Sequence, residues 1–449
     1  MQHSPGTIMS HQRPNLLIIN WHDTGRHFRC LGIDTVRSPR VDRLAAEGVL
    51  FERCFAAATL CSPSRGAMLT GLYPQSNGLM HLCHGNFGWK MNDDTRHLAQ
   101  LLGSRGYSTR LHGFQHETPH PDVARLGFHE MADVKPQPPH YPVPPCDVIA
   151  AGAAEYLQSE AASRQPFYLQ MGFFETHRPY AFGGTEPDDS AGVHVPAYVV
   201  DNEAARADFA HLQGSIAKAD HNVGVVLDAL REAGLEENTL VVFTVDHGVA
   251  VPSAKATMYD PGLGVILAVR WPRGGICGGQ RSSRLVSNVD IVPTLFDLMG
   301  LEKPEHFDGI SFASEFDRRN GPPERTHVFG MLHTGLQRAV RSDRWKLIRY
   351  FDRLREAKRP ADLTPPSRHP AGAEGTTPLN RVQLFDLESD PLETDNLADD
   401  PSCRAIQQEL DGELWRWMES VNDPLLKGPT PPPRWHESIA DYRQWSKQA

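Results

Sequence analysis

The chain has 449 residues, 40% of them hydrophobic, with 45 lysines and arginines against 55 aspartates and glutamates and a formal net charge of −10. Such a length supplies core volume for one large or two unequal domains. The acidic balance excludes a general nucleic-acid binder but leaves room for a small anion met by a local cluster of cations. No apolar run approaches the roughly 18 residues of a membrane span, so no membrane partner is expected. The opening "MQHSPGTIMSHQRPN" lacks the apolar core of a secretory signal, which predicts a cytoplasmic protein, or a periplasmic one if a signal was trimmed. Seven cysteines, at 30, 54, 61, 83, 146, 277 and 403, form no CxxC pair and no dense framework, so reduced thiols are expected.

In chain order, "NLLIIN" (Asn15–Asn20) reads as a buried strand. "SPRVDRLAAEGV" reads as a helix capped by Ser38 with Pro39 in its first turn. Another helix is expected to open near Ser62 or Pro63, and "DTRHLAQLLGSRG" is read as helical throughout. "YSTRLHG" comes next as a strand, the Pro-rich "KPQPPHYPVPP" (Lys135–Pro145) as a connecting loop, "CDVIAAGAAEYLQS" as a helix and "PFYLQMGFF" as a strand. Phe209, Leu212, Ile216, Ala219, Val223, Val226 and Leu230 recur at three- and four-residue steps and predict a long amphipathic helix. "NTLVVFTV" and "GVILAVRWP" are strands, and "DIVPTLFDLMG" is a helix closed by Gly300. Beyond Pro322 the character changes. "QRAVRSDRWKLIRYF" alternates like a strand and "RVQLFDLESDPLETDNLA" like a strand and turn, with a charged, Pro/Gly-rich surface loop at 352–380 between them; the tail around "KGPTPPPRW" is expected to be extended.

Strands alternating with helices predict an α/β fold with a mostly parallel sheet covered on both faces, and ligands beyond the carboxyl ends of its strands. The residues just past those strand ends carry chemistry. "NLLIIN" runs into Trp21-His22-Asp23, "YSTRLHG" toward Gln115-His116-Glu117, "PFYLQMGFF" into Glu175-Thr176-His177-Arg178, and "NTLVVFTV" into Asp246-His247. Four strands thus deliver histidines or carboxylates to one edge.

In "LCSPSRGAMLTG" (Leu60–Gly71), Pro63 suits a first helical turn and places Cys61 at the helix mouth, where free N–H groups and the dipole favour anionic oxygens. Arg65 adds a planar cation one turn in. These features suit a tetrahedral oxyanion held against residue 61, and equally a buried structural cysteine beside a helix start.

The full string Cys61-Ser62-Pro63-Ser64-Arg65 followed by Leu69-Thr70-Gly71 resembles the sulfatase signature C-x-P-S-R-x-x-x-L-T-G. "SPRVDRLAAEGVLFERCF", "GLYPQSNGL", "DHGVAVPSAKATMYDPGLGVILAVRWP", "SNVDIVPTLFDLMG" and "LFDLESDPLETDNLA" resemble its other landmarks, so the likeness spans most of the chain; "HDTGRH" and "GFFETHRP" resemble the branch acting on sulfated sugars, the sulfamidase-like members included. It implies an alkaline-phosphatase-like fold, with a catalytic α/β domain over 1–322 and a smaller C-terminal α+β subdomain over 323–449. It also implies that a formylglycine-generating maturation enzyme oxidises Cys61 to formylglycine, whose hydrate is the nucleophile toward a small sulfated substrate, expected to be a carbohydrate in this branch.

The same resemblance implies a divalent metal, calcium in most members, at His22, Asp23, Asp246 and His247 with residue 61. His22 stands where an aspartate is usual. Calcium prefers oxygen, whereas imidazole suits manganese or zinc, so His22 either shifts the metal preference or steps back to hydrogen-bond a ligand. His177 matches the histidine that touches the sulfate ester, Lys255 the lysine that grips sulfate and assists the leaving oxygen, and His116 the histidine that orients the nucleophile and later takes its proton. A lysine usual two residues before that histidine is Phe114 here, with Arg110, His112 and Arg178 as candidate replacements. "HLCH" (His81–His84) lacks a second ligand pair at standard spacing and is not read as a zinc site. His84, Asn86 and Trp89 are expected at the pocket rim, with His333 reaching it from the C-terminal part. Phosphodiester or phosphonate monoester hydrolysis on the same scaffold, N-sulfoglucosamine sulfamidase activity and non-catalytic glycan binding are the rival readings.

Overall fold

The structure, a computed structural model, describes residues 13–84, 87–134, 143–316, 325–351 and 381–447. The 322/323 boundary, Asn86, most of the Pro-rich 135–145 segment and the 352–380 loop of the sequence reading lie outside these residues.

The larger sheet contains β1 (Asn15–Trp21), β2 (Val49–Phe55), β3 (Ser108–Gly113), β4 (Glu130–Ala132), β5 (Phe167–Gly172), β6 (Thr239–Val245), β7 (Gly264–Arg270) and β8 (Gln280–Ser287). Their spatial order is β4-β3-β5-β1-β6-β7-β2-β8. Among these strands only β7 runs against its neighbours, β6 and β2. Every residue of β1, β5, β6 and β7 is buried, which is why these strands read as unbroken apolar runs rather than alternating ones. Helices flank the sheet, the longest being Glu203–Glu232, whose N-cap Asn202 accepts a hydrogen bond from the Ala205 N–H at 2.8 Å.

The order puts β3, β5, β1 and β6 side by side and parallel, so their carboxyl ends form one continuous ledge. The histidines and carboxylates that come after these four strands in sequence therefore become neighbours. β2 and β8 were not expected. Glu52 and Arg53 interrupt the apolar run of β2 where its register slips, and β8 is a polar edge strand.

A second, antiparallel sheet has the order β12-β11-β10-β9, with β9 Val328–Leu332, β10 Gln337–Arg341, β11 Trp345–Tyr350 and β12 Val382–Asp386. The segment read as one alternating strand is thus a hairpin, β10–β11, turned at Ser342-Asp343-Arg344. Its period-two pattern faces both ways. Val340, Leu347 and Leu384 pack on Leu410, Leu414 and Trp417 of the helix Arg404–Ser420, while Ala339, Ile348 and Phe385 pack on Phe55, Leu60 and Met258 beneath the large sheet. Each such buried aliphatic side chain contributes about 1.5–3 kcal/mol. β9 also holds the approach to Cys61: Met331 donates to Ala57 O at 2.9 Å.

Three further expectations change. The helix read over 94–106 is only Leu98–Gly103, because His97 caps it through its side chain, accepting from Ala99 N at 3.1 Å. The signature helix opens at Cys61 itself, one or two residues early. The tail turns helical over Pro433–Trp445, Pro433 taking the first helical position where its missing N–H costs nothing.

Candidate active site

Cys61 is the first residue of the helix Cys61–Thr70, directly after the extended N-cap Leu60, and is 2% exposed. The loop before it is pinned on three sides: Ala56 donates to Leu263 O at 2.7 Å, Ala57 to Asn288 Oδ1 at 2.9 Å, and Ala256 to Thr59 O at 3.0 Å. At the end of β1 the chain turns sharply. The His22 carbonyl accepts from the hydroxyls of Thr24 (2.5 Å) and Thr176 (2.6 Å), and Asp23 takes a left-handed φ of 44°, a region Asp tolerates better than most residues. Gly248 lies so close to Pro261 that a Cβ would sit 1.9 Å from its carbonyl oxygen, so only glycine lets the loop after Asp246-His247 close over the site.

Asp23, Asp246, His22, His247 and Arg65 are all buried around the Cys61 thiol. Cys61 Sγ lies 3.2 Å from His247 Nε2 and 3.9 Å from Asp23 Oδ1. Asp246 Oδ1 accepts from the backbone N–H groups of Asp23 (3.0 Å) and His247 (2.9 Å), and its Oδ2 from Arg65 Nε at 3.2 Å. Arg65 is further fixed by donating from Nη2 to Trp21 O at 3.0 Å. Lys255 Nζ donates to Asp23 Oδ2 at 2.7 Å and lies 3.5 Å from His177 Nε2.

These contacts fix two tautomers. Backbone carbonyls only accept, so His247 Nδ1–H donates to Gly248 O (2.9 Å) and His177 Nδ1–H to Arg178 O (2.6 Å). Each Nε2 then presents a lone pair to the cleft. In His247 that lone pair faces Asp23 Oδ1 at 3.3 Å.

The electrostatics are of one kind. Burial pushes the Asp23 carboxyl up, but Lys255 and His247 outweigh it and hold it far below the usual carboxylate range. Burial is likewise outweighed at Asp246 by His247, His22 and Arg65. Burial alone would discharge Lys255, yet Asp23 keeps it firmly protonated. Burial pushes His177 down to about 4, and His116 well below its ordinary value with His84 adding to the effect, so both rings are neutral near pH 7. Burial pushes the Cys61 thiol far up, which makes it a poor thiolate nucleophile as it stands.

A divalent cation fits this donor set. One ligand atom from each of His22, Asp23, Cys61 and Asp246 lies within 4.8 Å of the others, all fully buried. His22 Nδ1 is 2.9 Å from Asp246 Oδ2 but out of line for a hydrogen bond, and neither ring nitrogen has a hydrogen-bond partner. An orphaned imidazole beside two charged carboxylates, with the His247 lone pair facing one of their oxygens, is satisfied by a cation between them.

The residues expected around this centre divide. His177 and Lys255 both stand at Asp23, within 3.8 Å and 2.7 Å of its Oδ2. His116 lies on the Phe114 side, its ring 5.2 Å from that of Phe114, with its backbone N–H donating to Glu117 Oε2 at 3.0 Å. Phe114 is 4% exposed and packs edge-on to His22 at 4.4 Å, with the Arg65 guanidinium 5.3 Å over its face. The position of the usual lysine is thus an aromatic wall. Of the three candidate replacements, Arg110 pairs with Glu130, His112 faces Asp133 at 3.7 Å, and Arg178 is bound to Asp208 (2.7 Å) and Ala250 O (2.9 Å). His333 meets Trp89 at 4.7 Å and His81 at 5.9 Å, and rings continue through Phe87 and His84 to His116.

Sequence reasoning missed Glu117, a fully buried carboxyl pushed up by burial beneath His116, and Phe174, stacked on His177 at 4.7 Å. Both sit in strings already singled out, one residue after His116 and three before His177, but carry no motif of their own.

A four-parallel-strand ledge holding a helix-mouth cysteine between two aspartates defines a hydrolase site of the sulfatase type. The family model described as Sulfatase matches residues 14–301, and that described as N-sulphoglucosamine sulphohydrolase, C-terminal, matches residues 253–363; the chain belongs to the sulfatase family and is a sulfuric ester hydrolase. An ulvan-active sulfatase of Formosa agariphila is 27% identical over 92% of this chain and 76% of its own length. The human N-sulphoglucosamine sulphohydrolase is 27% identical over 92% of both chains. Among solved structures, a 2-O GAG sulfatase shares the fold with a TM-score of 0.71 at 21% identity, over 93% of this chain and 94% of that one.

Proposed function

We propose that this sulfatase removes sulfate from a sulfated carbohydrate, using Cys61 after its oxidation to formylglycine as the nucleophile. The observation that carries the reading is the placement of Cys61: first in its helix, between Asp23 and His247, with Lys255 Nζ bound to the same Asp23. The unmodified thiol, pushed far up by burial, is unsuited to attack, whereas a hydroxyl at that position lies among fixed cations and helix N–H groups. The carbohydrate rests on the relatives, one ulvan-active and one an N-sulphoglucosamine sulphohydrolase, each aligned over 92% of this chain.

His22, Asp23, Asp246 and His247 would hold the divalent ion, which supplies charge stabilisation for the nucleophile and the sulfate oxygens. Two imidazoles among the donors favour manganese or zinc over the calcium that family resemblance implies. Arg65 orients Asp246. Lys255 attracts the sulfate and gives the leaving oxygen its proton, because His177 presents a lone pair rather than a proton. His177 accepts a hydrogen bond from Lys255 or from the substrate, and neutral His116 is the base that takes the proton of the second hydroxyl as the C–O bond to sulfate breaks and the aldehyde re-forms.

The C-terminal family match favours, as a second reading, an N-sulfate rather than an O-sulfate as the bond broken. Both are tested by co-expressing the chain with a maturation enzyme, measuring the mass of the Cys61 peptide, and screening defined O- and N-sulfated sugars for sulfate release. Conversion of Cys61 with release from a sugar is expected. A fully retained thiol, or conversion with turnover of aryl phosphodiesters alone, overturns the reading; binding without release supports a glycan binder.

A further inference from the structure

We propose that Cys83, His84 and His116 form a second metal site, suited to zinc and distinct from the ion held by the two aspartates. One ligand atom from each lies within 4.8 Å of the others. His84 and His116 stack with ring centroids 4.4 Å apart, and His84 Nδ1 meets His116 Nε2 directly. Cys83 is buried and His84 exposed, so the cluster has a fixed interior ligand and an entry side. One thiol and two imidazoles are the donors zinc prefers, with a fourth position left to water. Bonds of about 2.3 Å to sulfur and 2.0–2.1 Å to nitrogen need the two touching ring nitrogens to part and an ion to enter between them and the sulfur, which the exposed His84 ring supplies by rotation.

Cys83 Sγ now donates to His116 O at 3.2 Å, and burial pushes its thiol up to about 12. Binding therefore breaks the S–H bond, forms the S–metal bond and releases one proton to solvent, while both rings contribute lone pairs without changing charge. Affinity rises with pH for that reason. The spacing Cys83-His84 offers only two ligands; the third arrives from the β3 ledge, which is why "HLCH" alone did not disclose it. The consequence for catalysis rests on the proposed role of His116: an ion here occupies the base, so zinc inhibits reversibly.

Cobalt(II) added to metal-free Cys61→Ala protein tests the site without the thiol of the aspartate-held ion. A near-ultraviolet thiolate-to-cobalt absorption is expected, lost in Cys83→Ala and weakened about tenfold or more in affinity in His84→Ala, whose exposed side chain is not needed for folding. No such band in Cys61→Ala, or a band that survives Cys83→Ala, overturns the site. In matured enzyme, zinc chloride should lower turnover and the Cys83→Ala change should relieve it. The band without zinc inhibition keeps the site and overturns instead the role assigned to His116.

Discussion

Two buried charge clusters of the protein contrast, and only one of them is closed as folded. Between the two sheets, Asp260 binds Lys346 (2.9 Å) and Arg341 (3.1 Å), and Lys346 also binds Glu393 at 2.6 Å. There carboxylates meet permanent cations, and Lys346 and Arg341 hold Asp260 far below its ordinary range against the burial that raises it. At the β1–β6 ledge, Asp23 and Asp246 meet Lys255 and Arg65, but also His22, His247 and a thiol, which add donor atoms beyond the permanent ion pairs. A cluster of carboxylates and cations is complete as folded. A cluster with surplus donors calls for an ion and a substrate. Burial and charge count alone do not separate structure from function; the type of the extra groups does.

The sharpest way to break this contrast is at Cys61. Cys61→Ala should lower sulfate release about 10⁴-fold or more with an unchanged melting temperature, read by desulfation assay and calorimetry. Loss of stability with retained turnover would place Cys61 in the structural class. Lys346→Met should do the reverse. Leaving Glu393 buried without its cation costs about 3–5 kcal/mol in denaturant midpoint, while kcat of the folded enzyme stays the same. A drop in kcat would tie the inter-sheet cluster to the chemistry.

The next effect is on the metal. His22→Ala should weaken divalent-ion binding about tenfold or more by titration calorimetry, and His22→Asp should shift preference toward calcium. Unchanged affinities in both would show that His22 is no donor. The smallest effect uses a buried imidazole away from both clusters. Burial pushes His97 down to about 3, so the unfolded chain binds a proton below about 6.5 that the fold refuses. Stability is therefore present above 6.5 and falls as pH drops toward 3, by about 1.4 kcal/mol at pH 5.5. His97→Asn keeps a cap for Ala99 and should flatten this acid loss, measured as melting temperature against pH; an unaltered slope would mean His97 is not buried neutral.

Much of the site was legible because its residues come directly after strands. His22, Asp23, His116, His177, Asp246 and His247 each stand within a few residues of an apolar run, and the parallel order aligns those ends. Ser342-Asp343-Arg344 hid a hairpin because its flanking strands share one alternation. β2 was hidden because Glu52 and Arg53 break its apolar run. Phe114 was legible as a departure but not as an aromatic wall, since its contacts with His22 and Phe174 come from β1 and β5.

By itself the sequence determined the α/β class, the cysteine at a helix mouth and the set of groups delivered to one edge, because periodicity, capping and spacing are local. Only the tertiary structure decided which strands are neighbours, and therefore that Lys255 meets Asp23, that Arg110, His112 and Arg178 face Glu130, Asp133 and Asp208, and that Cys83 and His84 meet His116. Those pairings join residues 20 to 232 positions apart, where no local pattern reaches.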